Sequence, residues 1–370
     1  MSLILDGSNG ITFPNSSTQS VGFYGFKNRI INGAMTIAQY STSSQTATGY
    51  QTVDRWAYFS GGISGKFNWQ QNAGSVTPPV GFSNYLGFTS TSAYSVGATD
   101  RFILQQSIEG FNTSDLMFGT ASAKTVTLSA WVYSSLTGTF GGTLQNYAST
   151  RSYPFTYSIP VANTWTQISI TIAGDTGGTW VGASNAASFA VIFSLGAGST
   201  LSGTAGSWAS ANYVSATGAT SVVGINGATF YITGVQLEVG STATSFDFRS
   251  IGTESNLCYR YCFVQGYAQG SGAYGSIGVG VNQSTTAVSF DYFLPVPMRT
   301  TPSLTWTTAT YSDINSGASG TVIASNTPRS GPTQLFLQGT YTSGTATAGS
   351  VAFLNMVNST TWQATFSAEL

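Results

Sequence analysis

Histidine is absent from all 370 residues. That removes the commonest general base of enzyme active sites and the histidine-dependent nucleophile triads. Charge is nearly as scarce. Eleven Lys and Arg against twelve Asp and Glu leave a net charge of −1, and charged residues make up 6% of the chain, where an ordinary soluble domain has about a quarter. So few scattered cations make no footprint for nucleic acid and no polybasic patch for an anionic membrane. The only cysteines are Cys258 and Cys262. Zinc needs about four Cys or His ligands, so no metal and no cofactor is expected. A bridge across one helical turn would close too small a loop to stabilise much, so two semi-buried thiols are expected. Mean hydropathy is +0.09, yet no apolar run reaches the roughly 18 residues of a membrane span. Met1 to Gly10 carries no basic residue and includes Asp6, unlike a secretory leader. No membrane insertion is expected.

What the chain has is glycine, hydroxyls and rings: 44 Gly and 14% aromatics. Its apolar runs are short and rich in Val, Ile, Thr and aromatics, the bias of pleated strands. The fold class that follows is all-β. The organising stretch is Thr229 to Cys262. Phe230 to Val239 reads as a packed strand that Gly240 ends. Phe246 and Phe248 then alternate with Asp247 and Arg249. Thr253 offers a cap to a helical segment, Glu254 to Cys262.

Between Trp56 and Gly240, strands are read at Ala57–Ser60, Phe67–Gln71, Tyr85–Thr89, Arg101–Ser107, Thr125–Tyr133, Thr139–Asn146, Thr164–Ile172, Ala187–Leu195 and Thr229–Val239. Eight or nine two-sided strands predict an antiparallel jelly-roll sandwich. Beyond Phe263 the pattern restarts at Ser276–Val281, Thr286–Phe293, Ser303–Thr307, Thr321–Ile323, Thr333–Gln338, Ser350–Asn355 and Trp362–Phe366, a second, smaller β-sandwich. Gly266–Gly280 reads as an exposed loop or hairpin. The expected domains are an N-terminal attachment and oligomerisation segment at 1–27, a jelly roll at 28–250 and a C-terminal sandwich at 251–370. Met1 to Val21 is too short to bury a core, and its Leu3, Ile4, Leu5, Ile11 and Phe13 predict that it docks against something.

Twelve acids offer little chemistry. A glycosidase needs two carboxylates across one cleft, and Glu109 and Glu238 are the best pair. Each also fits as a lone hydrogen-bonded acid at a sheet end, and no catalytic residue is assigned. Asp54, just before Trp56, reads as a polar group fixing the first sandwich strand. Calcium through Asp247 or Asp54 has few acids to support it. What remains is rings on loops beside amides and hydroxyls, which stack and hydrogen-bond neutral polyols. The candidates for carbohydrate binding are Trp69, Trp180, Trp208, Tyr213, Tyr267 and Tyr274, each of which core packing would also explain.

The blocks NRIINGAMTIAQYS, VDRW, QSIEGF, SAWVYS, FYITGVQLEVGSTATSFDFRSIGTESNLCYRYC and FLPVPMRTTPSLT resemble the modular tail fibre proteins of bacteriophages, including cyanophages. The opening MSLILDGSNGITFPNSSTQS is similar to N-termini of such proteins. Where relatives often read ATPFE, Ser245 and Asp247 replace Pro and Glu. The resemblance implies a receptor-binding virion component assembled in the host cytoplasm, with a carbohydrate-binding-module-like jelly roll. It also implies a homotrimer, tail or baseplate partners held through the N-terminal segment, and host surface polysaccharide as the ligand. It supplies no contact residues. Two alternatives stay open: a glycan depolymerase tailspike, and a purely structural tail or baseplate module.

Overall fold

The computed structural model describes residues 4–6, 10–12, 18–19, 26–267, 276–306, 309–313, 316–321, 324–325, 329–356 and 362–370. The architecture is all-β. Near the N-terminus, β1 (Ile4–Asp6), β2 (Gly10–Thr12) and β3 (Thr18–Gln19) make a small antiparallel sheet. The expected docking of their side chains lies outside the described residues.

The central unit contains β4 (Ala57–Gly61), β5 (Phe67–Gln71), β6 (Leu86–Ser90), β7 (Arg101–Glu109), β8 (Val126–Ser134), β9 (Gly138–Asn146), β10 (Ser152–Ile159), β11 (Thr166–Ile172) and β12 (Ala187–Ala197), then the two-residue β13 (Ser202–Gly203) and β14 (Ser215–Ala216), and β15 (Thr229–Val239). Two five-stranded sheets form, in the orders β10-β9-β12-β7-β4 and β11-β8-β15-β6-β5. Alternation assigns the faces. Phe102, Leu104 and Ile108 of β7, Phe189, Val191 and Phe193 of β12, and Leu128 and Val132 of β8 fill one core with Phe230, Ile232 and Leu237 of β15.

Strand β10 was not expected. Pro154 lies within it and removes a ladder donor, a residue tolerated in sheets at edges. β10 is the edge of its sheet, pairing only with β9 and setting Pro154 opposite Thr143.

The segment before the sandwich is stitched onto β15. The β15–β8 register breaks between Thr233 and Gln236, which frees the Val235 amide to donate to the Gly33 carbonyl at 3.0 Å. Asn28 donates to the Val235 carbonyl (3.0 Å) and accepts from the Leu237 amide (3.0 Å). Gly33 is required by this approach: a Cβ there would sit 2.1 Å from the Val235 oxygen.

The helix α1 runs from Ile251 to Tyr259, earlier than the spacing predicts. Ser250 and Thr253 hydroxyls meet at 2.8 Å over its first turn. Cys262, expected at the helix end, opens β16 (Cys262–Tyr267) instead. There follow β17 (Ser276–Asn282), β18 (Ala287–Phe293), β19 (Ser303–Trp306), β20 (Ala309–Asp313), β21 (Ser319–Thr321), β22 (Ala324–Ser325), β23 (Gln334–Thr340), β24 (Val351–Met356) and β25 (Trp362–Ser367). A three-stranded sheet, β16-β25-β19, and a seven-stranded sheet, β21-β20-β24-β17-β18-β23-β22, surround a second core built on Phe290, Leu335, Leu337, Leu354 and Phe366. Both cysteines are free and buried, more deeply than expected.

Polar groups tie the two units together. Gln39 donates to the Cys262 carbonyl (2.8 Å) and accepts from the Val264 amide (3.0 Å). Arg55 pairs with Glu369, and the Tyr261 ring lies 3.6 Å from the Arg55 guanidinium carbon. Tyr50 donates to the Leu370 carbonyl at 2.9 Å.

Candidate functional site

The six candidate rings do not form one site. Trp69 is a correction: it is wholly buried, stacks on Phe88 at 5.5 Å and donates its indole N–H to the Ala47 carbonyl. Trp69 sits on β5 at a core-facing position between Asn68 and Gln70, so no ligand reaches it. Trp180 and Trp208 do come together, edge to face with centroids 5.5 Å apart. Phe118, Phe189 and Tyr153 pack against them. Their N–H groups turn inward, Trp180 to Asp175 (3.0 Å) and Trp208 to the Ala173 carbonyl (2.7 Å). Arg151 pairs with Asp175 beside them. Burial alone would raise the Asp175 pKa, but the Arg151 and Trp180 bonds outweigh it and hold the carboxyl below its ordinary value. The cluster closes one end of the sandwich. Tyr213 is half-buried over Gly203, where a Cβ would collide with its ring. Tyr267 and Tyr274 fall outside the residues whose side chains are described.

The acids are equally dispersed. Glu109 ends β7 in one sheet and Glu238 lies on β15 in the other. Each is buried with its own partners. Glu109 accepts from Arg260 Nε (2.9 Å) and the Tyr261 hydroxyl (2.6 Å). Burial opposes ionisation there, but the Arg260 and Tyr261 bonds win and hold the carboxyl below its usual range. Glu238 accepts from Gln236 (2.8 Å) and from the Thr244 amide (2.8 Å) and hydroxyl (2.6 Å). The two carboxylates therefore do not face each other across a cleft. Asp54 is fully buried and accepts from the Gln39 amide at 2.7 Å. Burial pushes its carboxyl up to about 7, against the Gln39 bonds. Asp247 lies 3.9 Å from Arg249 and accepts from the Asn28 amide. Among the described residues no group of three or more Cys, Asp or Glu is placed to hold a metal.

One open feature is a groove of about 290 Å³ over the outer face of the sheet β10-β9-β12-β7-β4. Its residues alternate with the core. Ile103 and Gln105 flank Leu104 on β7, Ala190 and Ile192 flank Val191 on β12, Gln145 follows Leu144 on β9, and Phe59 follows Tyr58 on β4. Cross-strand register assembles them: Phe59 opposes Ile103, Gln105 opposes Ile192, and Ala190 opposes Gln145. Ile103, Ala190, Ile192 and Val214 make a buried apolar floor. Arg101, Gln105, Gln145, Tyr147 and Ser149 make the walls. Gln145 donates to Asn212 Oδ1 (2.8 Å) and Gln105 to the Ser107 hydroxyl (3.0 Å), which fixes both amides. Tyr147 is 48% exposed. No Asp or Glu lines the groove. With that floor almost wholly covered, the rings open to a ligand are the exposed Tyr147 and the half-buried Phe59, with Arg101, Gln105 and Ser149 to hydrogen-bond beside them and no carboxylate pair for bond cleavage.

Sequence reading missed these residues. Ile103 and Ile192 lie inside strands that the sequence predicts, but a strand with apolar residues on both faces gives no sign of which face is open. The available signal was Gln105 and Gln145, amides within strands whose neighbours Leu104 and Leu144 face the core.

No family model matches the chain, and no curated protein matches it. Solved structures share it loosely. The enzymatically active domain of tailspike protein 4 from bacteriophage CBA120 is 14% identical with a TM-score of 0.33 over 58% of this chain, which spans only 22% of that structure's length. The family 11 carbohydrate-binding module of the cellulase Lic26A-Cel5E of Clostridium thermocellum is 12% identical with a TM-score of 0.26, over 55% of this chain and 98% of that one. The module TmCBM61, in complex with β-1,4-galactotriose, is 10% identical with a TM-score of 0.29, over 58% and 99%. At such scores the likeness carries no argument about what this chain binds; its all-β architecture rests on its own strands.

Proposed function

We propose that this protein is a bacteriophage tail fibre component that attaches the virion to neutral glycan on the host cell surface, without cleaving it. The carrying observation is the groove over the β10-β9-β12-β7-β4 sheet: a buried apolar floor, an exposed Tyr147, two fixed amides and Arg101, with no carboxylate in its lining. Sugars present C–H faces and hydroxyls together, and such a surface meets both. The dispersal of Glu109 and Glu238 into separate sheets supports binding over turnover. The resemblance of the NRIINGAMTIAQYS and VQLEVG blocks to tail fibres supports the virion role and a homotrimer attached through residues 1–27.

Isothermal titration of the chain with host envelope polysaccharide tests the reading. Binding is expected without release of reducing ends. Tyr147→Ala should weaken it roughly tenfold, about 1.4 kcal/mol. Release of reducing ends by the pure protein would overturn the non-catalytic part. Unchanged affinity in Tyr147→Ala would remove the groove.

A further inference from the structure

A second groove, about 460 Å³ in volume, lies where the two units meet. Its floor is one face of the β16-β25-β19 sheet. Thr305 and Thr365 are direct cross-strand partners, and Gln363 lies two residues before Thr365 on the same face. The residues between and beyond, Ala364 and Phe366, are fully buried in the C-terminal core. The opposite wall comes from the loop preceding the first sandwich strand: Tyr40, Ser41, Gln45 and Gln51. The lining is thus three amides, three aliphatic hydroxyls and one ring, and no charged side chain. Tyr40 stays a neutral phenol, because burial, helped by nearby Glu369, raises its pKa. Its hydroxyl approaches Glu369 at 3.4 Å, so its ring is the part left for the groove, and it stacks on Tyr50 with centroids 6.5 Å apart.

The geometry points to a second binding site, for a neutral saccharide, formed jointly by the two units. Its volume is in the range of small-ligand pockets, about 300–1,000 Å³. Ions are poorly served, since the lining offers no opposite charge to offset the loss of their hydration. Part of this polar lining is already bonded within the wall, Gln45 to Ser41 (3.2 Å) and Ser43 (3.3 Å) and Gln51 to the Thr48 carbonyl (3.1 Å). A fatty ligand would cover the lining's amides and hydroxyls and bond none of them, whereas a polyol offers them both donors and acceptors. The walls are held in place before any ligand arrives. Gln39 clamps Cys262 and Val264, and Tyr50 and Arg55 hold the C-terminal residues Leu370 and Glu369. Little ordering is then left for binding to impose. The site shares its ligand class with the proposed function and uses none of the residues of the sheet groove.

The test is calorimetric titration of the whole chain with cellohexaose, maltohexaose, mannohexaose and galactohexaose. Two variants separate the sites. Thr305→Trp fills the interdomain groove from an exposed position, and Tyr147→Ala strips the sheet groove. The expected result is a hexasaccharide whose binding survives Tyr147→Ala and falls at least tenfold in Thr305→Trp. Gln363→Ala, which adds no bulk, should weaken the same binding severalfold. Should Thr305→Trp lower the unfolding temperature, the Gln363→Ala result decides. Isotherms unaffected by Thr305→Trp and Gln363→Ala, including no binding of any of the four sugars, overturn the second site. If Tyr147→Ala alone abolishes binding, the sheet groove stands and this site falls. Loss in Thr305→Trp alone supports this site and leaves the sheet groove to its own titration with envelope polysaccharide.

Discussion

Replacing Glu109 with Gln tests the junction between the two units. Glu109 is 1% exposed at the end of β7 and bonds Arg260 and Tyr261, which follow α1. Removing one partner from a fully buried ion pair costs about 3–5 kcal/mol. Here the Arg260 side chain is 32% exposed, so water partly resolvates the orphaned guanidinium, and the amide oxygen still accepts from Tyr261. The expected loss is about 2 kcal/mol, a factor of about 30 in the folded-to-unfolded ratio. The effect is pH-dependent with a fixed sign. The folded carboxyl is held below its unfolded value of roughly 4.3. Its contribution is complete above that value and disappears as pH falls through the folded pKa. Urea unfolding followed by tryptophan fluorescence, at neutral pH and at about pH 3, reads both. The gap between wild type and variant should be wide at neutral pH and narrower in acid. Equal midpoints at neutral pH, or a gap that does not shrink in acid, would refute the argument.

Three further outcomes follow from packing. Trp69→Ala should lower stability by about 3–5 kcal/mol through a cavity beside Phe88 and Tyr58, read as a shifted urea midpoint; a near-silent substitution would return Trp69 to the surface. Gly33→Ala should cost at least about 2 kcal/mol, since its Cβ would collide with the Val235 carbonyl and nothing flexible can yield; differential scanning calorimetry checks it, and an unchanged unfolding temperature would separate the 28–37 segment from β15. Cys258 and Cys262 should resist a thiol reagent in the native chain and react stoichiometrically in urea, because burial removes access and pushes both thiols up; prompt native labelling would show that the interface around Arg55 opens.

Strand content was legible because alternation and turn residues are local signals. Val126 to Ser134 and Thr166 to Ile172 lie close to where their pattern puts them. β10 was hidden because Pro154 reads as a breaker until its place at a sheet edge is known. β16 was hidden because Leu257 and Tyr261 share a helical spacing that ends at Tyr259 once Tyr261 packs on Arg55. The binding face was illegible for another reason. Trp69 carries the chemistry of a sugar platform, and only the register of β5 turns it into the core.

By itself the sequence determined that this is an all-β chain with almost no titratable chemistry, since composition and two-residue alternation need no knowledge of distant contacts. Which face of each sheet stays open was decided by tertiary structure alone. So was the parting of Glu109 from Glu238, and so was the meeting of Thr305 and Gln363 with Tyr40. These depend on pairings between residues tens to hundreds of positions apart, and no local pattern encodes which strand lies beside which.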